Sequence, residues 1–126
     1  PVKRYLPRFA LSDAALTESL TVRYLLCHRY GLSSWPITFA EAYSGLITDD
    51  HFYRELPLAK INGSWAYSNL HFTLLGRVIE SVTGETWRDY LRDHVLQPAG
   101  MTHTTGYASE LYAFDGAADP MVRIAD

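Results

Sequence analysis

Lysine is nearly missing from this chain: only Lys3 and Lys60 are present, and the other basic residues are scattered arginines. With a formal net charge of −3, the chain has no clustered basic surface of the kind nucleic acid requires, so no nucleic-acid partner is expected. Cysteine occurs once, at Cys27, which excludes an internal disulfide. Its place in the apolar run Tyr24-Leu25-Leu26-Cys27 predicts an inert core thiol. No apolar run approaches the roughly 18 residues of a membrane span. No Gly-x-Ser-x-Gly elbow occurs, which argues against an α/β-hydrolase serine. His28, His51, His71, His94 and His103 include no His-Glu-x-x-His pair and no carboxylate cluster at zinc spacing. A Gly-rich phosphate loop is also missing. Neither a metal nor a cofactor is expected.

What is present suffices for a core. Apolar residues make up 48% of 126 residues, enough for one domain of ordinary size. Thr21 is a helix cap before Val22 to Arg29, with Gly31 as the stop. Thr38-Phe39-Ala40-Glu41 has capping-box spacing. Asp49 and Asp50 open a short run, His51 to Leu56, that Pro57 ends. Leu70, Leu74, Leu75, Val78, Ile79 and Val82 form one apolar stripe at helical spacing, with Leu75 and Ile79 at its centre, closed by Thr83-Gly84. Thr86-Trp87-Arg88-Asp89 opens a further helix that runs to Pro98. Leu32 to Ile37 and Leu58 to Ala66 read as loops, and the first strand-like stretch is Val122-Arg123-Ile124. The local pattern predicts a mainly α unit of about five short helices.

The chemically suggestive stretch is Tyr67-Ser68-Asn69, placed between the turn-rich Asn62-Gly63-Ser64-Trp65-Ala66 and the best helix. A phenol and a carboxamide two residues apart at such a junction can point into one cleft, where the phenol moves a proton and the amide holds a carbonyl. An aromatic there also staples a helix, and Ser or Asn also caps one. His28 is expected to end its helix, where a cation or donor suits the exposed carbonyls, with a lone functional histidine as the alternative.

Thr21-Val22-Arg23-Tyr24-Leu25-Leu26-Cys27-His28-Arg29-Tyr30-Gly31-Leu32 resembles a segment of the serine β-lactamase-like, penicillin-binding family. That family includes class C β-lactamases, D-Ala-D-Ala carboxypeptidases, D-aminopeptidases and related esterases. Tyr67-Ser68-Asn69, Leu74-Leu75-Gly76, Ile79-Glu80, Val82-Thr83-Gly84, Tyr90-Leu91 and Pro98-Ala99-Gly100-Met101 follow in the family's order. Val2-Lys3-Arg4-Tyr5-Leu6-Pro7 is similar to the lead-in, so the resemblance runs to about residue 104. Tyr30 replaces a usual small residue, and Cys27 stands where Thr or Ser is common.

The resemblance implies a Tyr-x-Asn motif in which Tyr67 is catalytic and Asn69 binds substrate. The family's other two motifs, Ser-x-x-Lys and Lys-Thr-Gly or His-x-Gly, do not occur in these 126 residues. The expected fold is therefore the helical region of the serine β-lactamase-like α+β fold, residues 1–126, with most of the sheet lying outside the chain. The implied function is the middle segment of a serine acyl-transfer hydrolase for β-lactam, ester or D-amino-acid amide substrates. The expected partners are a small-molecule or peptide substrate and the remainder of a parent chain, and this segment alone is expected to be inactive. Pro1 without an initiator Met, and Asp126 entering a strand-like stretch, are expected to be cuts. The family's habit points to a periplasmic or secreted parent. A stand-alone, non-catalytic helical binding module is the alternative.

Overall fold

The computed structural model describes residues 1–40 and 47–114, apart from the Tyr112 side chain. Its described residues are mainly α with a single two-stranded sheet. They form two units, Pro1–Glu85 and a second that begins at Thr86.

In the first unit a 3-10 turn, Val2–Arg4, precedes α1 (Ala14–Ser19) and α2 (Val22–Leu26). The α1 helix has no strong apolar period; it forms because Asp13 accepts from the Leu16 amide and Leu16 is buried. Thr21 caps α2 as its sequence predicts, but the helix stops at Leu26, not Arg29. The early stop overturns the expectation for Cys27. Its thiol is exposed, because of this apolar run only Leu25 turns fully into the core.

β1 (Leu32–Ser33) pairs antiparallel with β2 (Lys60–Ile61), in register Leu32 to Ile61 and Ser33 to Lys60. Two-residue strands are too short to show a period-2 pattern, so both segments read as loops in the sequence. α3 (Trp35–Phe39) is capped by Ser34, with Pro36 in its first turn. Thr38 is thus inside the helix rather than at its cap, and Glu41 of the expected capping box lies outside the described residues. The expected strand at Val122-Arg123-Ile124 lies outside them too. α4 (Asp49–Glu55) is capped by Thr48, and Asp49 and Asp50 occupy its first turn, where carboxylates suit the helix dipole.

α5 (Asn69–Thr83) is the longest element, capped by Ser68 and closed by Gly84 at φ 77°. It packs against α2, α3 and β1. Its buried residues are Leu70, His71, Leu74 and Gly76. The stripe is therefore rotated from its expected centre: Leu75 is half-buried, while Ile79 and Val82 are exposed. The core that α5 covers is built from Phe9, Leu20, Leu25, Leu32, Ile37 and Phe52 among others, each 1% exposed or less.

In the second unit, Thr86 caps α6 (Trp87–Leu91), accepting from the Asp89 amide at 3.1 Å and donating to its carboxylate at 2.7 Å. The helix widens into a π turn over Arg92–Leu96. Arg88 ties this unit together, donating to the Gly106 carbonyl at 2.9 Å with its guanidinium over the Trp87 ring.

Candidate functional site

The turn after α2 controls the approach to the Tyr67-Ser68-Asn69 stretch. His28 and Tyr30 both have positive φ, 54° and 67°, and Gly31 follows at 23°. Left-handed backbone is unfavourable for a residue with a Cβ, so neighbouring contacts must hold it. Tyr30 packs edge-on against Tyr24, and the Arg29 guanidinium lies over both rings. Gly31 is required by proximity as well, since a Cβ there would meet Ala66 Cβ at 2.5 Å.

This turn aligns residues 28–33 against residues 60–66. Beyond the β1–β2 pair, Arg29 bridges Trp65, and the His28 carbonyl accepts from the Ala66 amide at 3.2 Å. Arg29 to Leu32 on one side faces Ile61 to Trp65 on the other, one residue longer. The Asn62-Gly63-Ser64 stretch falls in that longer side. Tyr67 is thereby delivered beside His28 just before α5 starts.

Within the triplet the three side chains have separate tasks. Ser68, 5% exposed, is the cap: its Oγ accepts from the His71 amide at 3.3 Å and donates to the Leu32 carbonyl. Tyr67 and Asn69 both face outward, and the Tyr67 hydroxyl donates to Asn69 Oδ1 at 2.7 Å. The phenol and the carboxamide are therefore brought together, with Tyr67 67% exposed and open to a ligand. With the phenol on Asn69 Oδ1, the Nδ2 amide N–H groups are the donating end of that side chain.

The His28 backbone N–H donates to the Leu25 carbonyl at the end of α2, at 3.1 Å, but its ring is engaged elsewhere. Its Nδ1 accepts from the Ser68 backbone N–H at 3.2 Å, and its ring leans on Tyr67 with centroids 4.8 Å apart. Phe72 and Trp65 pack around the same imidazole, at 5.4 and 6.5 Å. Behind it His71, fully buried, stacks at 5.5 Å and 14°. His71 Nε2 accepts from the Leu32 amide at 3.1 Å, so Nδ1 carries the proton toward the Leu25 carbonyl at 3.2 Å. Burial, with a smaller contribution from His28, holds the His71 pKa below the usual imidazole range, against the opposing pull of the Leu25 carbonyl.

The sequence reading gave His71 no role. Its one signal is position: three residues after the cap serine, it falls on the buried side of α5 between Leu70 and Leu74. Among the described residues no group of three His, Cys, Asp or Glu could hold a metal ion. None of the described helices is long and apolar enough to cross a membrane.

The Beta-lactamase family model matches residues 1–118, and the chain belongs to that family. It is 32% identical over 110 residues to a protein named putative penicillin-binding protein PbpX of Bacillus subtilis (strain 168), covering 85% of this chain and 26% of that protein. It is 29% identical over 114 residues to protein flp of Staphylococcus aureus (strain MW2), covering 82% and 22%. Penicillin-binding protein 4 of Amycolatopsis lactamdurans is 28% identical over 116 residues, covering 86% and 29%. The chain thus spans about a quarter of the length of the curated relatives it matches.

Proposed function

We propose that residues 1–126 form a helical segment of a serine β-lactamase-like domain, and that this segment supplies the Tyr-x-Asn wall of a serine acyl-transfer site. The substrates in this reading are β-lactams, esters or D-amino-acid amides. Tyr67 carries a proton, Asn69 anchors the acyl-side carbonyl, and the nucleophilic serine with its lysine comes from outside these 126 residues. The observation that carries the reading is the 2.7 Å contact from the exposed Tyr67 hydroxyl to Asn69 Oδ1. The names of two relatives, both penicillin-binding proteins, point to the same substrate class.

The chemistry divides sensibly. A serine hydroxyl attacks a carbonyl only when a base removes its proton. A phenol, with a reference pKa of about 10, acts as that base at neutral pH when flanking cations lower it. Both of the lysines the family resemblance assigns to this task belong to motifs that do not occur in this sequence. The Asn69 amide N–H groups, free of the contact that Tyr67 makes with Oδ1, can hold the scissile group's acyl side in place for attack.

The test is acylation by a fluorescent penicillin and hydrolysis of a p-nitrophenyl ester by the gene product that carries this segment. Tyr67→Phe is expected to lower the acylation rate about 10²–10⁴-fold with the fold intact. The 126-residue chain alone is expected to show no turnover of either substrate. An unchanged rate in Tyr67→Phe would return the triplet to a capping role and favour the non-catalytic binding module.

A further inference from the structure

We propose that His28 is a positioning residue for Tyr67, holding the phenol's backbone approach through the Ser68 amide and its ring through direct contact. The inference rests on the reading of Tyr67 as the proton carrier for its catalytic consequence, but its geometry stands independently.

One residue fixes three in succession. The His28 carbonyl accepts from the Ala66 amide, its ring touches Tyr67, and its Nδ1 accepts from the Ser68 amide. Tyr67 makes one side-chain hydrogen bond among those described, to Asn69, and is otherwise open on its outer side. Its inner side is the His28 imidazole. That imidazole is itself immobilised from behind by His71, which is anchored at both ring nitrogens to the backbone of Leu25 and Leu32. A rigid support layer of this kind is what keeps a reactive group within productive geometry. The positive φ of His28 fits the same role, because a costly backbone conformation persists where several contacts over-determine it.

The arrangement requires neutral His28. With Nδ1 accepting from Ser68, the ring proton sits on Nε2. Protonating Nδ1 would set one N–H against another and place a charge beside His71. The titratable groups facing the ring are His71 from α5 and the Tyr67 phenol. Cys27 and Arg29 are its chain neighbours, and the Arg29 guanidinium is directed over Tyr24 and Tyr30.

The experiment is amide exchange and NOE measurement by NMR on the 126-residue chain as wild type, His28→Asn and His28→Phe. Asn offers an acceptor near the position of Nδ1 and tolerates positive φ, whereas Phe keeps a ring and loses the acceptor. In His28→Phe the Ser68 amide is expected to exchange roughly five- to tenfold faster, measured against the Phe52 amide of α4. NOEs from the Tyr67 ring to Asn69 should weaken with it. His28→Asn should restore Ser68 protection. Unchanged Ser68 exchange and unchanged Tyr67–Asn69 NOEs in folded His28→Phe overturn the proposal. Should His28→Phe fail to fold, the wild-type chain decides: a through-hydrogen-bond nitrogen–nitrogen coupling between the Ser68 amide and His28 Nδ1 must be present together with NOEs between the His28 and Tyr67 rings, and the absence of both overturns the proposal. In the acylating gene product His28→Phe should lower kcat more than it raises KM. If Tyr67→Phe leaves acylation unchanged while Ser68 still responds to His28, the functional reading fails and the positioning role stands.

Discussion

The buried imidazole of His71 stacks on that of His28, centroids 5.5 Å apart and planes within 14°, so one histidine pair links the α2 turn to the start of α5. His71 reads the backbone on both sides, donating to the Leu25 carbonyl and accepting from the Leu32 amide. A proton on Nε2 would face the Leu32 N–H and break that bond, while the Nδ1–H bond to the Leu25 carbonyl would persist. The pair therefore ties the stability of the fold to the protonation of one ring.

A pH dependence follows, with a definite sign. His71 has its folded pKa lowered, chiefly by burial, so the unfolded chain binds the proton more readily. Its contribution to stability is fully present above the unfolded value of about 6.5 and is lost as the pH falls through the folded value. The slope from this one group reaches at most about 1.4 kcal/mol per pH unit. Urea unfolding from pH 8 to 5 checks it, with NMR assigning the His71 titration below the ordinary imidazole range. Stability that stays flat to pH 5 would remove His71 from the account.

Gly31 and Ala66 offer a second, steric test. Gly31→Ala should cost about 1–3 kcal/mol, because its Cβ meets Ala66 Cβ at 2.5 Å and its φ is 23°. Adding Ala66→Gly should recover the steric part but not the backbone part. A thermal-melt double-mutant cycle separates the two, and purely additive losses would show that the contact is not the cause.

Much of the helical frame is legible in the sequence because caps and stops are local. Thr21, Gly84 and Thr86 announce themselves by residue type and spacing, and the structure uses all three as read. The phase of α5 was only half legible. Apolar residues at positions 79 and 82 match the stripe, but the surface that covers α5 is set by α2, α3 and β1, which a single helix's pattern does not encode. The pairing of Tyr67 with Asn69 could be anticipated from their spacing. The histidine support could not, since His28 and His71 are 43 positions apart and meet only through the strained turn at residues 28–31.

The rotated stripe of α5 predicts unequal costs for similar truncations. Leu74 is fully buried, so Leu74→Ala should lose roughly 2–5 kcal/mol through lost transfer energy and the cavity left behind. Ile79, 36% exposed, should lose about 1 kcal/mol or less when truncated to Ala. Urea midpoints at constant m-value measure both. Equal losses at the two positions would restore Ile79 to the centre of the stripe.

Ser68 and Asn69 are adjacent, yet substitutions there should separate folding from chemistry. Ser68→Ala removes the α5 cap and leaves the Leu32 carbonyl, which accepts from Ser68 Oγ, without that donor. The combined loss should be roughly 2–4 kcal/mol, the sum of a cap and a buried polar group. Asn69→Ala touches neither bond. Its side chain is exposed and meets the Tyr67 hydroxyl, so stability should change by about 0.5 kcal/mol or less. Asn69→Ala removes the acceptor of the Tyr67 hydroxyl and, in the proposed function, the amide donor for a substrate carbonyl. In an acylating gene product, Ser68→Ala should lower the melting temperature, with activity falling only as folded protein is lost. Asn69→Ala should leave the melt unchanged and slow acylation per folded molecule. Finding the reverse, a stable Ser68→Ala and a destabilised but fully active Asn69→Ala, would mean that Asn69 serves the helix and not the substrate.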